Sequence, residues 1–125
     1  MERRIYPRVK TCNLISYMAI RENGQITDLG MGRALNLSQN GIFLETSRLL
    51  FSEHISLMSI DLDSNLIEIK GQVVYSGING SGMVGNGIRL IGEHHENIQF
   101  ATKLIKVFHF RKNRTAPAMT LRKYR

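Results

Sequence analysis

The chain has 125 residues, enough for one hydrophobic core and too few for two, so we expect a single domain. Its 17 basic and 10 acidic side chains give a formal net charge of +7. The basic excess lies at the two ends, in residues 1–10 and 103–125, and the stretch between them is mildly acidic. This distribution argues against a nucleic-acid-binding face over the whole molecule and favours anion capture by the ends.

The sequence also indicates a cellular compartment. No apolar run reaches the length that crosses a bilayer, and the N-terminus lacks the apolar core of a secretory signal, so we expect neither a membrane segment nor export. Cys12 is the one cysteine, which excludes an internal disulfide and fits a reducing cytoplasm. Because no base or metal-ligand spacing surrounds Cys12, we expect it to be a small buried strand residue.

Residues 1–8 show neither strand nor helix periodicity, so we predict a loop or arm. The arm carries three arginines, Arg3, Arg4 and Arg8. Alone, such a charge run is usually a solvated surface. Guanidinium groups can also bind phosphate oxygens, or guanine O6 and N7, with paired hydrogen bonds.

After the arm, apolar and polar residues alternate in a pattern that predicts six β-strands. An Asn23-Gly24 turn joins the first two, which is a strong hairpin signal. The connections are mostly short, which favours a small β-barrel at residues 9–91. The predicted strands are 9–20, 30–37, 42–45, 54–61, 66–75 and 85–91.

From Glu93 the apolar residues change to helical spacing. Acidic residues in the first turn and basic residues in the last agree with the helix dipole. We predict a helix over 93–112 that covers an open end or side of the barrel and completes a domain of residues 1–112. Residues 113–125 lose the apolar period and are predicted to form a flexible basic tail. The predicted apolar face consists of Ile98, Ala101, Leu104, Ile105 and Phe108.

Asn36, Ser38 and Gly41 form an Asn-x-Ser-x-x-Gly turn between the second and third strands. Such a turn brings an amide, a hydroxyl and a backbone without a side chain into a small volume, which suits a polar ligand. An ordinary turn between two strands uses the same residue types, and short matches to the pattern occur by chance. The motif gains specificity from its context, an arginine arm before it and an apolar run after it.

The arm and the turn together, Arg4-x-x-x-Arg8 followed by Asn36-x-Ser38-x-x-Gly41, resemble the signature of the PilZ domain, the bacterial receptor module for cyclic di-GMP. The resemblance covers roughly residues 2–110. It implies a mainly β fold, a six-stranded antiparallel PilZ-type β-barrel with a C-terminal α-helix and an N-terminal ligand-binding arm. It further implies that Arg4 and Arg8 grip the phosphates and guanine edges, that Asn36 and Ser38 hydrogen-bond a guanine, and that Gly41 permits close approach.

Three positions refine this expectation. In the family an arginine at the position of Arg3 accompanies two stacked cyclic di-GMP molecules, so we expect two. Asn36 stands where aspartate is commoner, and its uncharged amide would hold guanine N–H groups more weakly. Tyr75 stands where several members carry an aromatic residue near the ligand, and a purine stacked on it would gain about 1–3 kcal/mol. A tyrosine of the core or rim is an equal alternative.

No nucleophile paired with a base and no metal-ligand set is evident in the sequence, so we expect no enzyme activity, no cofactor and no metal site. We expect a cytoplasmic cyclic di-GMP receptor whose arm becomes ordered on binding and which regulates a protein partner in motility, biofilm or exopolysaccharide control. One alternative is a PilZ-like adaptor that acts through protein contacts without nucleotide. Another is a barrel that binds nucleic acid through the basic tail.

Overall fold

The computed structural model describes residues 8–50 and 52–122, with side chains as far as Asn113. Arg3 and Arg4 therefore lie outside the described residues. Within the described part of the chain, six strands precede one helix. The strands are β1 (Val9–Ile20), β2 (Ile26–Leu37), β3 (Gly41–Thr46), β4 (His54–Ile60), β5 (Leu66–Ile78) and β6 (Val84–Leu90), and the helix is α1 (His94–Arg122).

The strands close into an antiparallel barrel in the order β1-β2-β3-β6-β5-β4. This confirms the predicted six-stranded antiparallel barrel with a C-terminal helix. The β3–β6 pairing joins strands that are far apart along the chain, and it brings the start of β3 beside the end of β6. The candidate site lies at this junction.

The Asn23-Gly24 hairpin is confirmed. Gly24 has a φ of +86°, in the left-handed region where glycine is favoured, and its N–H donates to the carbonyl of Arg21 at 2.8 Å. The tight turn places Ile26 opposite Ile20, so β2 begins at Ile26 and not at 30 as predicted. The prediction missed the start of β2 because polar residues there obscure the alternation of apolar and polar side chains that identifies a strand.

The fifth strand is also longer than predicted, because it stays paired with β6 as far as Ile78 opposite Val84. A turn then reverses the chain, with the N–H of Asn79 donating to the carbonyl of Met83 at 2.7 Å. Gly77 and Ile78, which lie beyond the predicted end of this strand at 75, are thus strand residues.

Inward-facing residues of the strands fill the barrel. Each buried leucine or isoleucine stabilises the fold by roughly 1.5–3 kcal/mol relative to an exposed one. The largest fully buried aliphatic side chains of the strands are Ile15, Leu37, Ile42, Leu44, Ile55 and Leu57.

Helix α1 packs against β1 and β5 and adds its apolar face to the core. Asn13 in β1 fixes its position, since the Asn13 Nδ2 donates to the Leu104 carbonyl at 3.1 Å. Phe100 and Val107 are buried, whereas Ile105 and Phe108 are only half-buried. Ala101 and Leu104 lie in the core as predicted and Ile105 packs against it, so the predicted face is only partly the buried one, and the prediction missed Phe100 and Val107.

The helix does not end at 112 as predicted, since α1 continues to Arg122. The predicted end rested on the loss of apolar periodicity after residue 112. An apolar period reports that a helix face packs on a partner, so the loss of that period does not by itself mark the end of the helix. Residues 123–125 lie outside the described part of the chain.

The prediction that Cys12 is buried is wrong, because the side chain is exposed. Its neighbours Thr11 and Asn13 are both buried, so the alternation of β1 turns Cys12 outward. As for membrane crossing, no helix among the described residues combines the necessary length and hydropathy.

Candidate functional site

Ser38 holds together the turn between β2 and β3. Its N–H donates to the Gly41 carbonyl at 2.9 Å, and its Oγ accepts the N–H groups of Asn40 and Gly41 at 3.2 and 3.3 Å. A hydroxyl has two acceptor lone pairs and one donor. With both lone pairs engaged by the turn, the O–H is the group that Ser38 can offer to a ligand.

Gly41 has a packing role that the sequence did not reveal. A Cβ at this position would lie 2.9 Å from the carbonyl oxygen of Ile88, closer than real Cβ atoms approach a backbone atom. Gly41 therefore permits the close β3–β6 pairing at the site, in which it stands opposite Arg89. Close approach of a ligand, the predicted reason for this glycine, stays a prediction.

Arg8 and Asn36 contact each other directly, although they belong to the arm and to β2. The Arg8 Nη1 donates to the Asn36 Oδ1 at 2.9 Å. Because the acceptor is a neutral amide, the positive charge of Arg8 is not neutralised by this bond. The remaining guanidinium donors can still bind an anion.

Tyr75 is a rim residue. Its side chain is 56% exposed, and its ring covers Gly87 on β6, where an added Cβ would lie only 2.1 Å from the Tyr75 Cε1. The register shifts between Val73 and Tyr75, which marks an irregularity in the β5–β6 ladder. One face of the ring thus packs on β6, and the exposed remainder is accessible to a planar ligand.

These elements enclose one cleft of about 210 Å³. Four predicted site residues line it, namely Arg8, Ser38, Gly41 and Tyr75, and Asn36 joins it through its bond to Arg8. The other lining residues are Asn40, Ile42, Val74, Gly87, Ile88 and Arg89. Convergence of residues that are widely separated in the sequence makes this cleft the candidate site.

Sequence reasoning missed Arg89 as a site residue. Arg89 is exposed at the end of β6, and its Nη2 donates to the Gln72 Oε1 on β5. The signal available beforehand was its position in Gly87-Ile88-Arg89-Leu90, where a basic residue of a strand alternates with buried apolar residues.

The cleft is electropositive in character. Two arginines outside it are neutralised by carboxylates, since Arg33 pairs with Glu45 at 2.5 Å and Arg48 pairs with Asp28. Among the described residues that line the cleft there is no carboxylate. The cleft is therefore suited to an anion.

A larger hollow of about 540 Å³ lies along β1, β4 and β5. Its charged lining is mixed, with arginine and lysine beside two glutamates, and none of the predicted site residues that the structure describes lines it. Its size alone does not make it the better candidate, because a binding site needs convergent polar groups of suitable charge.

Glu22, Glu53 and His54 form another group outside the cleft. They place three possible metal-ligand atoms within 4.8 Å of one another. Sequence reasoning did not identify this group, because Glu22 is distant from the other two along the chain. Exposed carboxylates often meet at protein surfaces without a metal, and the Glu53 Oε1 already accepts a hydrogen bond from the Gln72 Nε2 at 2.5 Å.

No protein-family model and no curated protein matches the chain. Solved structures do match. The Bacillus subtilis inhibitor of motility MotI/DgrA aligns with a TM-score of 0.59 and 17% identity, covering 92% of this chain and 54% of that one. The K. pneumonia MrkH–c-di-GMP complex aligns with a TM-score of 0.53 and 15% identity, covering 95% and 56%.

The PilZ domain with c-di-GMP of YcgR from Escherichia coli aligns with a TM-score of 0.53 and 13% identity, covering 93% of this chain and 98% of that domain. The chain thus spans about half the length of MotI/DgrA and MrkH and nearly the whole YcgR domain. At these identities the likeness establishes the fold. The barrel and its helix have the PilZ-domain fold, as the arginine arm and the Asn36–Gly41 turn predicted.

Proposed function

We propose that this PilZ-fold chain is a cytoplasmic receptor for cyclic di-GMP and binds it in the cleft between the β2–β3 turn and β6. The observation that carries the proposal is the convergence of Arg8, Ser38, Gly41 and Tyr75 on that single cleft. The cleft lacks carboxylates among its described residues and receives two arginines, which matches a ligand with two phosphates. Two of the similar structures, MrkH and the YcgR domain, contain c-di-GMP.

The proposed roles follow from the side-chain chemistry. Arg8 binds phosphate or a guanine edge with the donors that its bond to Asn36 leaves available. Ser38 donates its O–H to a guanine acceptor, and Asn36 accepts a guanine N–H. Tyr75 offers its exposed ring as a stacking surface, with Gly87 beneath it.

Arg3 and Arg4 complete the proposal, although they lie outside the described residues. Arg4 would contact the phosphates from the arm, and Arg3 would support a second, stacked nucleotide. Binding would draw basic charge of the arm onto the barrel and change the surface offered to a protein partner. We therefore propose a binding module that signals through this rearrangement and catalyses no reaction.

Isothermal titration calorimetry with cyclic di-GMP tests the proposal, with GTP as the control ligand. We expect selective binding, and two nucleotides per chain would support the role of Arg3. Arg8→Ala should weaken binding at least tenfold, which is about 1.4 kcal/mol. Arg21→Ala is a matched control, because it removes the same charge from the β1–β2 turn outside the cleft.

Absence of binding by the unmodified protein would refute the receptor proposal and favour the adaptor. The nucleic-acid alternative is tested by deleting residues 113–125. That deletion should abolish any affinity for nucleic acid that depends steeply on salt, and cyclic di-GMP binding should persist. Loss of nucleotide binding on this deletion would show that the helix end contributes to the site.

A further inference from the structure

Arg89 occupies a distinctive place in the β6 ladder. It stands opposite Gly41 on β3 and opposite Gln72 on β5. Because Gly41 has no side chain, β3 offers Arg89 no cross-strand side chain at that position. The guanidinium therefore lies exposed at the cleft, flanked by the turn on one side and by Gln72 on the other.

A chain of hydrogen bonds holds Arg89 in place. Its Nη2 donates to the Gln72 Oε1, and the Gln72 Nε2 donates to the Glu53 Oε1 at 2.5 Å. A guanidinium carries five N–H donors, so the bond to Gln72 leaves most of them for a ligand. Gln72 also acts as a neutral spacer that separates Arg89 from the charge of Glu53.

This arrangement differs from that of the ion-paired arginines. Arg33 and Arg48 donate to carboxylates, so their charges are balanced within the protein. Arg8 and Arg89 both donate to amide oxygens and both line the cleft. An anion that enters the cleft thus meets two oriented cations whose hydrogen-bond partners are neutral.

The outer face of β6 places Arg89 beside the stacking surface. Gly87 lies beneath the Tyr75 ring, and Arg89 is the next residue on the same face. Alternate residues of a strand are about 6.5 Å apart. A base stacked on Tyr75 would therefore have its own phosphate within reach of Arg89.

We infer that Arg89 is a second phosphate-binding arginine of this site and that Gln72 positions it. Arg8 binds the nucleotide from the β2 side of the turn, and Arg89 binds it from the β6 side. The inference rests on the proposed function, and it adds a residue outside the arginine arm and the turn. It also adds a specificity element, because two cations on opposite sides of the turn favour a ligand with two separated phosphates.

The test measures cyclic di-GMP affinity by calorimetry for Arg89→Gln, Arg89→Lys and Gln72→Ala. Arg89→Gln should weaken binding at least tenfold. Arg89→Lys should recover part of the loss, because lysine restores the positive charge but not the paired N–H donors of the guanidinium group. Gln72→Ala should weaken binding by a smaller factor, since it leaves Arg89 present but unsupported. Arg21→Gln serves as the control for loss of one positive charge.

Thermal unfolding without ligand should be the same for Arg89→Gln and the unmodified protein, because Arg89 is exposed. Wild-type affinity in Arg89→Gln, together with weakened binding in Arg8→Ala, would overturn this inference and leave the receptor proposal standing. An equal loss of affinity in Arg21→Gln would also overturn the inference, because the loss in Arg89→Gln would then reflect the lower net charge of the protein and not a contact made by Arg89. No binding by the unmodified protein would refute the proposed function and this inference with it.

Discussion

Replacing Gly87 with alanine should separate nucleotide binding from the stability of the barrel. A Cβ at Gly87 would lie 2.1 Å from the Cε1 and 2.6 Å from the Cδ1 of Tyr75. Carbon atoms pack at about 3.5–4.0 Å, so the ring would have to retreat by roughly 1.5 Å or turn away. It is able to do so, because Tyr75 lies at the rim and is 56% exposed.

The expected magnitudes for stability and for binding differ. Alanine within a strand is favoured over glycine by about 0.5–1 kcal/mol, which offsets part of the packing lost when the ring moves. We therefore expect the free energy of unfolding of Gly87→Ala to change by less than about 1 kcal/mol. A base stacked on an aromatic ring gains about 1–3 kcal/mol, so displacing Tyr75 should weaken cyclic di-GMP binding by about 5- to 150-fold.

Urea denaturation and calorimetry measure the two quantities. Gly77→Ala is the matched control, since nothing lies within 4 Å of a Cβ at that position of β5. Gly41→Ala should instead destabilise the barrel. Its Cβ would lie 2.9 Å from the backbone oxygen of Ile88, and a paired strand backbone cannot move away as an exposed side chain can. We expect Gly41→Ala to destabilise the fold by about 1–3 kcal/mol.

Two results would refute this reasoning. If Gly87→Ala destabilises the barrel as much as Gly41→Ala, the Tyr75 ring is not free to move. If Gly87→Ala binds normally while Tyr75→Ala binds weakly, the ring does not bind the nucleotide from its position over Gly87. A double mutant of Gly87 and Tyr75 should show little further loss beyond Tyr75→Ala, because both changes remove the same contact.

The remaining predictions concern stability. Leu104→Ala removes a fully buried side chain between helix and barrel and should lower the free energy of unfolding in urea by about 2–5 kcal/mol. Ser38→Ala removes the hydroxyl that accepts two turn N–H groups and should cost about 1 kcal/mol in the same assay. The backbone N–H of Asn65 lowers the pKa of Asp61 from 3.8, so the stability that Asp61 contributes is present above that pH and is lost as the pH falls through its lowered pKa. Below pH 3.8 the free energy of unfolding of Asp61→Asn should accordingly fall less steeply with decreasing pH than that of the unmodified protein.

The strands were predictable because their signals are local. Alternation over β1 and the Asn23-Gly24 turn are properties of neighbouring residues, and β1 has the bounds that its periodicity predicts. Strand ends were less predictable, since pairing decides them. Ile78 remains in β5 because Val84 stands opposite it.

The buried face of α1 shows where local patterns are insufficient. Spacing alone allowed Ile105 and Phe108 as central positions, but both are only half-buried. The packing of α1 on β1 and β5 places Phe100 in the core and also buries Val107, two positions that the spacing did not single out. Periodicity detects an apolar stripe, and only its partner determines which edge of the stripe is buried.

The sequence by itself determined the six strands, the helix and the residues of the arm and turn, because each follows from short-range pattern or from a contiguous motif. Only the tertiary structure decided that Arg89 lines the same cleft as Arg8, Ser38 and Tyr75. The reason is the β3–β6 pairing, which places Gly41 opposite Arg89 across a long interval of chain. Such a juxtaposition depends on which strands pair and in what register, and the local sequence specifies neither.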